Sequence, residues 1–73
     1  MRNHEELEEE ILNCFNDRTE IRDSRFEEEE GYFYVEVEMI CQCEIYDLSR
    51  IVGVTHVTVH CNDENSIQVN ITF

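Results

Sequence analysis

The chain has 73 residues, and a domain of this size buries a modest core that contributes roughly 3–5 kcal/mol of stability, which disfavours a deep, water-excluding active site. It carries 18 acidic residues against five arginines and no lysine, a formal net charge of −13. Such a surface repels phosphate groups, so direct binding to nucleic acid or to an anionic membrane is disfavoured. With 41% hydrophobic residues, the chain still has enough apolar material to fold, and we expect one domain over residues 1–73.

The first predicted element is an amphipathic helix. Its apolar residues recur at helical spacing between glutamates that cover the other sides: Leu7, Ile11, Cys14 and Phe15. Asn3 is placed to cap the helix, Glu6 can complete a capping box, and residues 16–17 are expected to end it. A helix this short is marginal alone, so its apolar stripe must pack against another element.

Residues 19–27 contain two large apolar side chains, Ile21 and Phe26, whose spacing of five fits no regular strand period. We interpret this segment as a bulged or edge strand that ends in a turn at residues 27–31, because Gly31 adopts left-handed backbone conformations freely. Four of the five arginines lie between Arg18 and Arg50, and we expect them to neutralise glutamates on neighbouring elements.

Residues 31–43 show the longest alternation of apolar and polar side chains, which is typical of a half-buried strand. One face of this central strand would be apolar: Phe33, Val35, Val37, Met39, Cys41 and Cys43. The other face would be polar except at Ile40: Tyr32, Tyr34, Glu36, Glu38 and Gln42.

Residues 44–52 are predicted to form a short second helix with Ile45 and Leu48 on its buried side. Asp47 can cap a turn within it, and Gly53 supplies the left-handed position that commonly ends a helix. The alternative is that the central strand continues to Tyr46.

The last third is a hairpin of two alternating strands, residues 54–61 and 67–73, joined by a turn at residues 62–66. The order α-β-β-α-β-β predicts a small α+β two-layer sandwich, in which an antiparallel sheet of three to four strands carries both helices on one face. The expected core joins helix residues to the apolar strand faces: Leu7, Ile11, Phe15, Leu48, Phe33, Val35, Val37, Val57, Val59, Val69 and Ile71.

The four cysteines, Cys14, Cys41, Cys43 and Cys61, are expected to be buried free thiols rather than a disulfide framework. The start of the chain lacks the pattern of a secretory signal sequence, so we expect a reducing cytoplasm, that of the host cell if the protein is viral. Bridging Cys41 to Cys43 would distort the strand on which both are predicted to lie.

Catalytic, metal and cofactor sites have little support in the sequence. It lacks the nucleophile-elbow, zinc-protease and phosphate-loop motifs, so we predict a protein that is not an enzyme and has no cofactor. His56 and His60 face away from Cys61 on their predicted strand, so these side chains cannot converge on one tetrahedral zinc. The two histidines leave open a surface site for a transition metal, and the acidic loop at residues 62–65 lacks calcium-loop spacing.

The polar face of the predicted sheet is the surface best suited to a partner. It would gather tyrosines, glutamates, histidines and amides: Tyr32, Tyr34, Glu36, Glu38, His56, Thr58, His60, Gln68, Asn70 and Thr72. Tyrosine is enriched at protein interfaces, whereas a face with glutamates and without arginine or lysine disfavours nucleobase binding. An ordinary solvated face is the alternative.

The net charge leads to the functional hypothesis of a small acidic inhibitor, in effect a nucleic-acid mimic, that occupies a basic surface of a nucleic-acid-binding protein or nuclease. In composition the chain resembles, as a class, small viral and mobile-element proteins that block restriction or CRISPR nucleases. The predicted contact residues are Glu27, Glu28, Glu29, Glu30, Tyr32, Tyr34, Glu36 and Glu38. The alternatives are a homodimer formed through the sheet edge or exposed face, and acidity that serves only solubility.

Overall fold

A computed structural model describes residues 3–16 and 19–73. The elements are α1 His4–Asn13, β1 Ile21–Glu27, β2 Tyr32–Val37, α2 Gln42–Ser49, β3 His56–Asp63 and β4 Ser66–Thr72. The four strands form one antiparallel sheet in the spatial order β1-β2-β4-β3. The predicted α+β class and the order α-β-β-α-β-β are confirmed.

The core lies between the two helices and one face of the sheet. Its buried residues alternate along β2 and β4 and follow the inner sides of the helices: Ile11, Phe15, Phe33, Val35, Val37, Leu48, Ile51, Val69 and Ile71. Both helices bury their apolar residues against the same face of the sheet. The other face of the sheet is therefore not covered by a helix. In the described residues, every buried side-chain nitrogen or oxygen has a hydrogen-bond partner.

Helix α1 begins where the sequence predicts and ends slightly earlier. The Asn3 side chain accepts a hydrogen bond from the Glu6 amide at 2.8 Å, so Asn3 is the N-cap. The helix ends at Asn13, three residues before the predicted position, and Asp17 and Arg18 lie outside the described residues.

Strand β1 is the bulged edge strand that the sequence predicts. It lies at one edge of the sheet, and its pairing with β2 shifts register between Ile21 and Asp23. The turn to β2 is closed by hydrogen bonds from the Glu30 and Gly31 amides to the Glu27 carbonyl, at 3.1 and 2.9 Å. Gly31 has φ +79°, a conformation that costs a residue with a Cβ about 1–2 kcal/mol.

The central strand is much shorter than the alternation of residues 31–43 predicts, because β2 ends at Val37. Val37 pairs with Ile21 of β1 and Ile67 of β4, which are near the ends of those strands, so the chain beyond Val37 has no ladder to join. Met39 is 67% exposed, and Cys41 is the N-cap of α2. The prediction that residues 39, 41 and 43 continue the strand and face the core is therefore wrong.

Helix α2 starts at Gln42, two residues before the predicted start at residue 44. It ends at Ser49, three residues before the predicted end at residue 52. Asp47 lies inside the helix and does not cap it. Gly53 has φ +97° as expected, but it stands in the loop four residues beyond the helix end. Neither helix has the length and apolar character to cross a membrane, and no other helix occurs in the described residues.

The predictions for the far edge of the sheet need correction. Val59 of β3 is 36% exposed and Cys61 is exposed, although both were expected in the core. Strand β3 is the edge next to β4, and the helices cover mainly β2 and β4, so the inner face of β3 remains partly open to water. Cys43 is exposed as well, and Cys14 and Cys41 are half-buried, so none of the four thiols is fully buried.

Candidate partner-binding site

The uncovered face of the sheet carries three rows of side chains, each crossing all four strands. The strand register sets the rows as Glu27, Tyr32, Thr72 and His56; Arg25, Tyr34, Asn70 and Thr58; and Asp23, Glu36, Gln68 and His60. The strands therefore bring together every residue predicted for this face except Glu38. Strand β1 adds Asp23, Arg25 and Glu27 to this face, which the sequence did not place there.

Arg25 dominates the centre of this face. Its guanidinium contacts the Glu27 carboxylate through Nε and the Asp23 carboxylate through Nη1, the latter at 2.9 Å. It also lies over the ring of Tyr34, 4.4 Å from the ring centroid. The hydrogen bond with Glu27 raises the pKa of Arg25, so its positive charge is fixed. The expectation that this face has no arginine is wrong, because the alternating sides of β1 could not be assigned from its weak pattern.

Tyr34 offers little surface to a partner, since only 8% of it is exposed. Arg25 covers its ring, and its hydroxyl donates a hydrogen bond to Glu36 at 3.1 Å. Burial and this hydrogen bond raise the pKa of Tyr34, so the hydroxyl stays protonated at neutral pH. Tyr34 and Glu36 are thus occupied within the sheet face.

A run of carboxylates lies at the end of the sheet where β1 turns into β2, which we call the turn end. Residues 27–30 are four consecutive glutamates. Glu28 pairs with His4 at the start of α1, with 3.0 Å between His4 Nδ1 and Glu28 Oε1. Glu29 and Glu30 are exposed, and within the described residues their carboxylates have no hydrogen-bond or ion-pair partner.

A groove of about 470 Å³ opens beside this turn, and we call it the turn-end groove. Its lining combines apolar side chains with two carboxylates and a histidine: His4, Leu7, Phe26, Glu27, Glu28, Gly31, Tyr32 and Phe73. The His4 ring stacks on Phe26 with 4.4 Å between centroids, and Phe26 meets the buried Phe33 edge to face at 4.6 Å. The wall of the groove is therefore anchored in the core.

The end of the chain closes the other side of the turn-end groove. The Phe73 amide donates a hydrogen bond to the Gly31 carbonyl at 3.2 Å, so the last residue is held against the turn. Its side chain is 37% exposed. The groove thus has an apolar floor and carboxylates at its rim, a combination suited to a guanidinium group, which stacks on rings and pairs with carboxylates.

No family model, curated protein or solved structure matches this chain.

The predicted contact residues divide between three places. Glu27, Glu28 and Tyr32 line the turn-end groove, with Glu29 and Glu30 beside it in the turn. The predicted residues Tyr34 and Glu36 belong to the open sheet face. Residue 38 follows β2 at the end of the sheet opposite the turn end, about 20 Å from residue 32 at the rise of an extended strand. The prediction that it lies on the open sheet face is therefore wrong. The Glu38 carboxylate lies 3.9 Å from the Arg22 guanidinium.

The sequence did not indicate His4, Phe26 and Phe73 as site residues. Phe73 had a usable signal, because it continues the apolar alternation of the strand predicted at residues 67–73. His4 and Phe26 had none, since their stacking requires α1 to be laid across β1. The histidines at 56 and 60 lie two rows apart, and no group of three metal-ligating side chains occurs among residues 3–16 and 19–73.

A second unusual carboxylate lies at the end of the molecule opposite the turn end. Glu44 of α2 is only 2% exposed, and its carboxylate accepts hydrogen bonds from the Asn16 amide (2.9 Å), the Thr19 hydroxyl (2.7 Å) and the Cys41 amide (2.9 Å). Burial acts to raise the pKa of Glu44, but these hydrogen bonds outweigh it, so the pKa lies below its ordinary value. Glu44 is a structural residue that joins the end of α1 to the start of α2.

Proposed function

We propose that this chain is a small acidic binding protein whose turn end enters a basic, nucleic-acid-binding surface of a partner protein. The observation that carries the proposal is the turn-end groove, where Glu27 and Glu28 rim an apolar floor beside the two unpaired carboxylates of Glu29 and Glu30. An arginine of the partner would stack on the ring of Tyr32 or Phe73 and pair with Glu28 and the two unpaired carboxylates beside the groove.

The distribution of charge supports the turn end over the open sheet face. On the sheet face, Arg25 already neutralises the carboxylates of Asp23 and Glu27. In the turn, Glu28 pairs with the exposed His4, and among residues 3–16 and 19–73 the carboxylates of Glu29 and Glu30 have no ion-pair partner. A cationic partner therefore gains more from the turn, and its approach would be accelerated by a net charge of −13.

The proposal is tested by binding of a fluorescent oligoarginine peptide, measured by anisotropy. The triple variant Glu28→Gln, Glu29→Gln, Glu30→Gln is compared with Glu9→Gln, Glu20→Gln, Glu64→Gln, which removes the same charge from exposed positions elsewhere. Three exposed ion pairs at about 0.5 kcal/mol each sum to about 1.5 kcal/mol, so the turn variant should bind roughly tenfold more weakly than the control variant. Equal affinities of the two variants would mean that only net charge matters.

The apolar floor gives a second, independent test. Lysine lacks the planar group that stacks on an aromatic ring, so oligoarginine should bind more tightly than oligolysine of the same length. Phe73→Ala should reduce this preference, whereas Val52→Ala, at an exposed valine outside the groove, should leave it unchanged. Equal binding of the two peptides to the unmodified protein would contradict the role of the groove.

A second candidate function, assembly as a homodimer, is favoured by the open edge of β3. The β1 edge is protected against pairing with another strand by a register shift and by charged side chains, among them Arg22, Asp23 and Arg25. Strand β3 has eight residues, contains no arginine or lysine, and has one carboxylate, that of Asp63 at its end. An edge strand of this composition with a partly exposed Val59 can pair with a second copy.

Light scattering after size exclusion distinguishes the two candidates. A dimer would have to overcome repulsion between two acidic copies, so dimerisation should increase with salt, whereas binding of oligoarginine should weaken. Val59→Lys would place a charge on the open edge and should give a monomer, while Val52→Lys should not change the mass. A monomer at every salt concentration would eliminate the second candidate.

A further inference from the structure

The start of α2 brings two cysteine sulfurs into contact. Cys41 is the N-cap residue with extended backbone, at φ −103° and ψ 163°, and Cys43 is in the first helical turn. Their Sγ atoms are 2.7 Å apart. The sequence places both residues on a regular strand, where a bridge would distort the backbone; at a helix start, the change of backbone direction between them removes that objection.

The geometry is close to that of a disulfide bond. Bonded sulfurs are about 2.05 Å apart, so the two Sγ atoms need to approach by less than about 1 Å. Cα atoms two residues apart are separated by about 5–7 Å, which overlaps the range found for disulfides. The two sulfurs are therefore within reach of each other for bond formation.

The other two cysteines lack this arrangement. The Cys14 thiol is half-buried and donates a hydrogen bond to the Glu10 carbonyl at 3.4 Å. Cys61 is exposed on β3. Among the described residues, residues 41 and 43 are the cysteines whose sulfurs are in contact.

We propose that Cys41 and Cys43 are a reversible thiol–disulfide site that exchanges with low-molecular-weight disulfides such as oxidised glutathione. The exposed Cys43 thiolate attacks one sulfur of the glutathione disulfide; a new S–S bond forms, and one glutathione leaves as its thiolate. The Cys41 thiolate then attacks the Cys43 sulfur, the Cys41–Cys43 bond forms, and the second glutathione leaves. The two protons from the protein thiols end on the two glutathione thiolates, and the protein loses two electrons to the glutathione disulfide.

The site is built for reversal rather than for permanent cross-linking. A bridge across one intervening residue closes a very short loop, and strained or exposed disulfides are the ones most readily reduced. Cys43 is exposed, so reductants reach the bond as easily as oxidants do.

Oxidation would change the hydrogen bonds that join the end of α1 to the start of α2. The Cys41 sulfur accepts a hydrogen bond from the Asn16 side-chain amide at 3.7 Å, and the Cys41 backbone amide donates to Glu44. A bridge displaces the sulfur that accepts the hydrogen bond from Asn16, and closing so short a loop strains the start of α2. We therefore expect the oxidised protein to have a lower melting temperature than the reduced protein while remaining folded.

The test equilibrates the folded protein in buffers with varied ratios of reduced to oxidised glutathione, followed by acid quenching, thiol alkylation and mass spectrometry. The expected result is the loss of the two alkylatable thiols of Cys41 and Cys43, a peptide of this segment lighter by two hydrogen atoms, and a peptide map that joins Cys41 to Cys43, all reversed by dithiothreitol. Circular dichroism verifies that the protein is folded throughout.

Single variants test the order of the steps. Cys41→Ser should stop the reaction at a glutathione adduct on Cys43, whereas the double variant Cys14→Ser, Cys61→Ser should form the bridge as the unmodified protein does. A glutathione adduct that persists on Cys43 of the unmodified protein, a protein disulfide that joins Cys43 to Cys14 or Cys61, or free thiols at both Cys41 and Cys43 at every ratio would each overturn the proposal.

Discussion

Replacement of the buried carboxylate of Glu44 by an amide, Glu44→Gln, tests whether this one side chain joins the two helices. The amide retains one accepting oxygen, so at least one of the donors at Asn16, Thr19 and Cys41 loses its acceptor, and the remaining bonds lose the negative charge. A hydrogen bond to a charged group contributes about 1.5–3 kcal/mol and a neutral one about 0.5–1.5 kcal/mol. The expected loss is therefore about 2 kcal/mol, a large part of what a core of this size supplies.

Urea unfolding followed by far-ultraviolet circular dichroism measures this loss. With a slope of about 1 kcal/mol per molar urea, the midpoint should fall by about 2 M at neutral pH. The matched control is Glu20→Gln, because Glu20 is exposed and lies next to Thr19 in the chain. A Glu44→Gln protein within about 0.5 kcal/mol of the unmodified protein would refute the role assigned to this carboxylate.

The pH dependence of the same difference gives a further check. The pKa of Glu44 is lower in the folded than in the unfolded protein, so the ionised carboxylate stabilises the fold above the ordinary glutamate pKa of about 4.3. This contribution is lost as the pH falls through the folded-state pKa. The gap in unfolding free energy between the unmodified protein and Glu44→Gln should therefore shrink as the pH is lowered below about 4.3, and a constant gap would show that packing, not charge, causes it.

Three further outcomes are expected. Val35→Asp should abolish the folded circular dichroism spectrum because it buries an unpaired charge, whereas Glu36→Ala should leave it intact, and equal tolerance of both would contradict the assigned faces of β2. In the folded, reduced protein, Cys43 should react with a maleimide much faster than Cys14, and equal rates would contradict their difference in exposure. Gly31→Ala should lower the unfolding free energy by about 1–2 kcal/mol through its positive φ alone, because a Cβ there meets open space, and an unchanged urea midpoint would argue against that conformation.

The parts of the fold that could be predicted from the sequence are those where side-chain period and burial agree. Strand β4 alternates over its whole length, and Val69 and Ile71 are fully buried as expected. The irregular spacing of Ile21 and Phe26 predicted a bulged edge strand, and the register shift in β1 confirms it. In both strands the local pattern reflects the same contacts that the tertiary structure makes.

The error at residues 38–43 has a specific physical cause. A few alternating residues fit the start of a helix as well as the continuation of a strand, so the pattern alone could not decide. The contacts that favour the helix come from Glu44, which bonds to Asn16 and Thr19, 28 and 25 residues away in the chain. Such long-range hydrogen bonds leave no periodic signal.

The candidate site was predictable in its charge but not in its shape. Four consecutive glutamates beside a glycine already indicated an exposed acidic turn. The turn-end groove depends on the stacking of His4 in α1 on Phe26 in β1, and on the hydrogen bond between Phe73 and Gly31. These are contacts between elements that are distant in the sequence. No sequence pattern indicated that His4 and Phe26 would meet.

The unequal edges of the sheet limit how this protein can assemble. If a second copy adds a strand, as in the second candidate function, we expect it at β3, where the edge has no arginine or lysine, rather than at β1, where Arg22, Asp23 and Arg25 lie beside a register shift. When two β3 strands pair across a two-fold axis, each copy uses its single open edge and presents only its charged edge to the outside. Such an interface is closed, so strand pairing ends at two copies and cannot extend into a fibre.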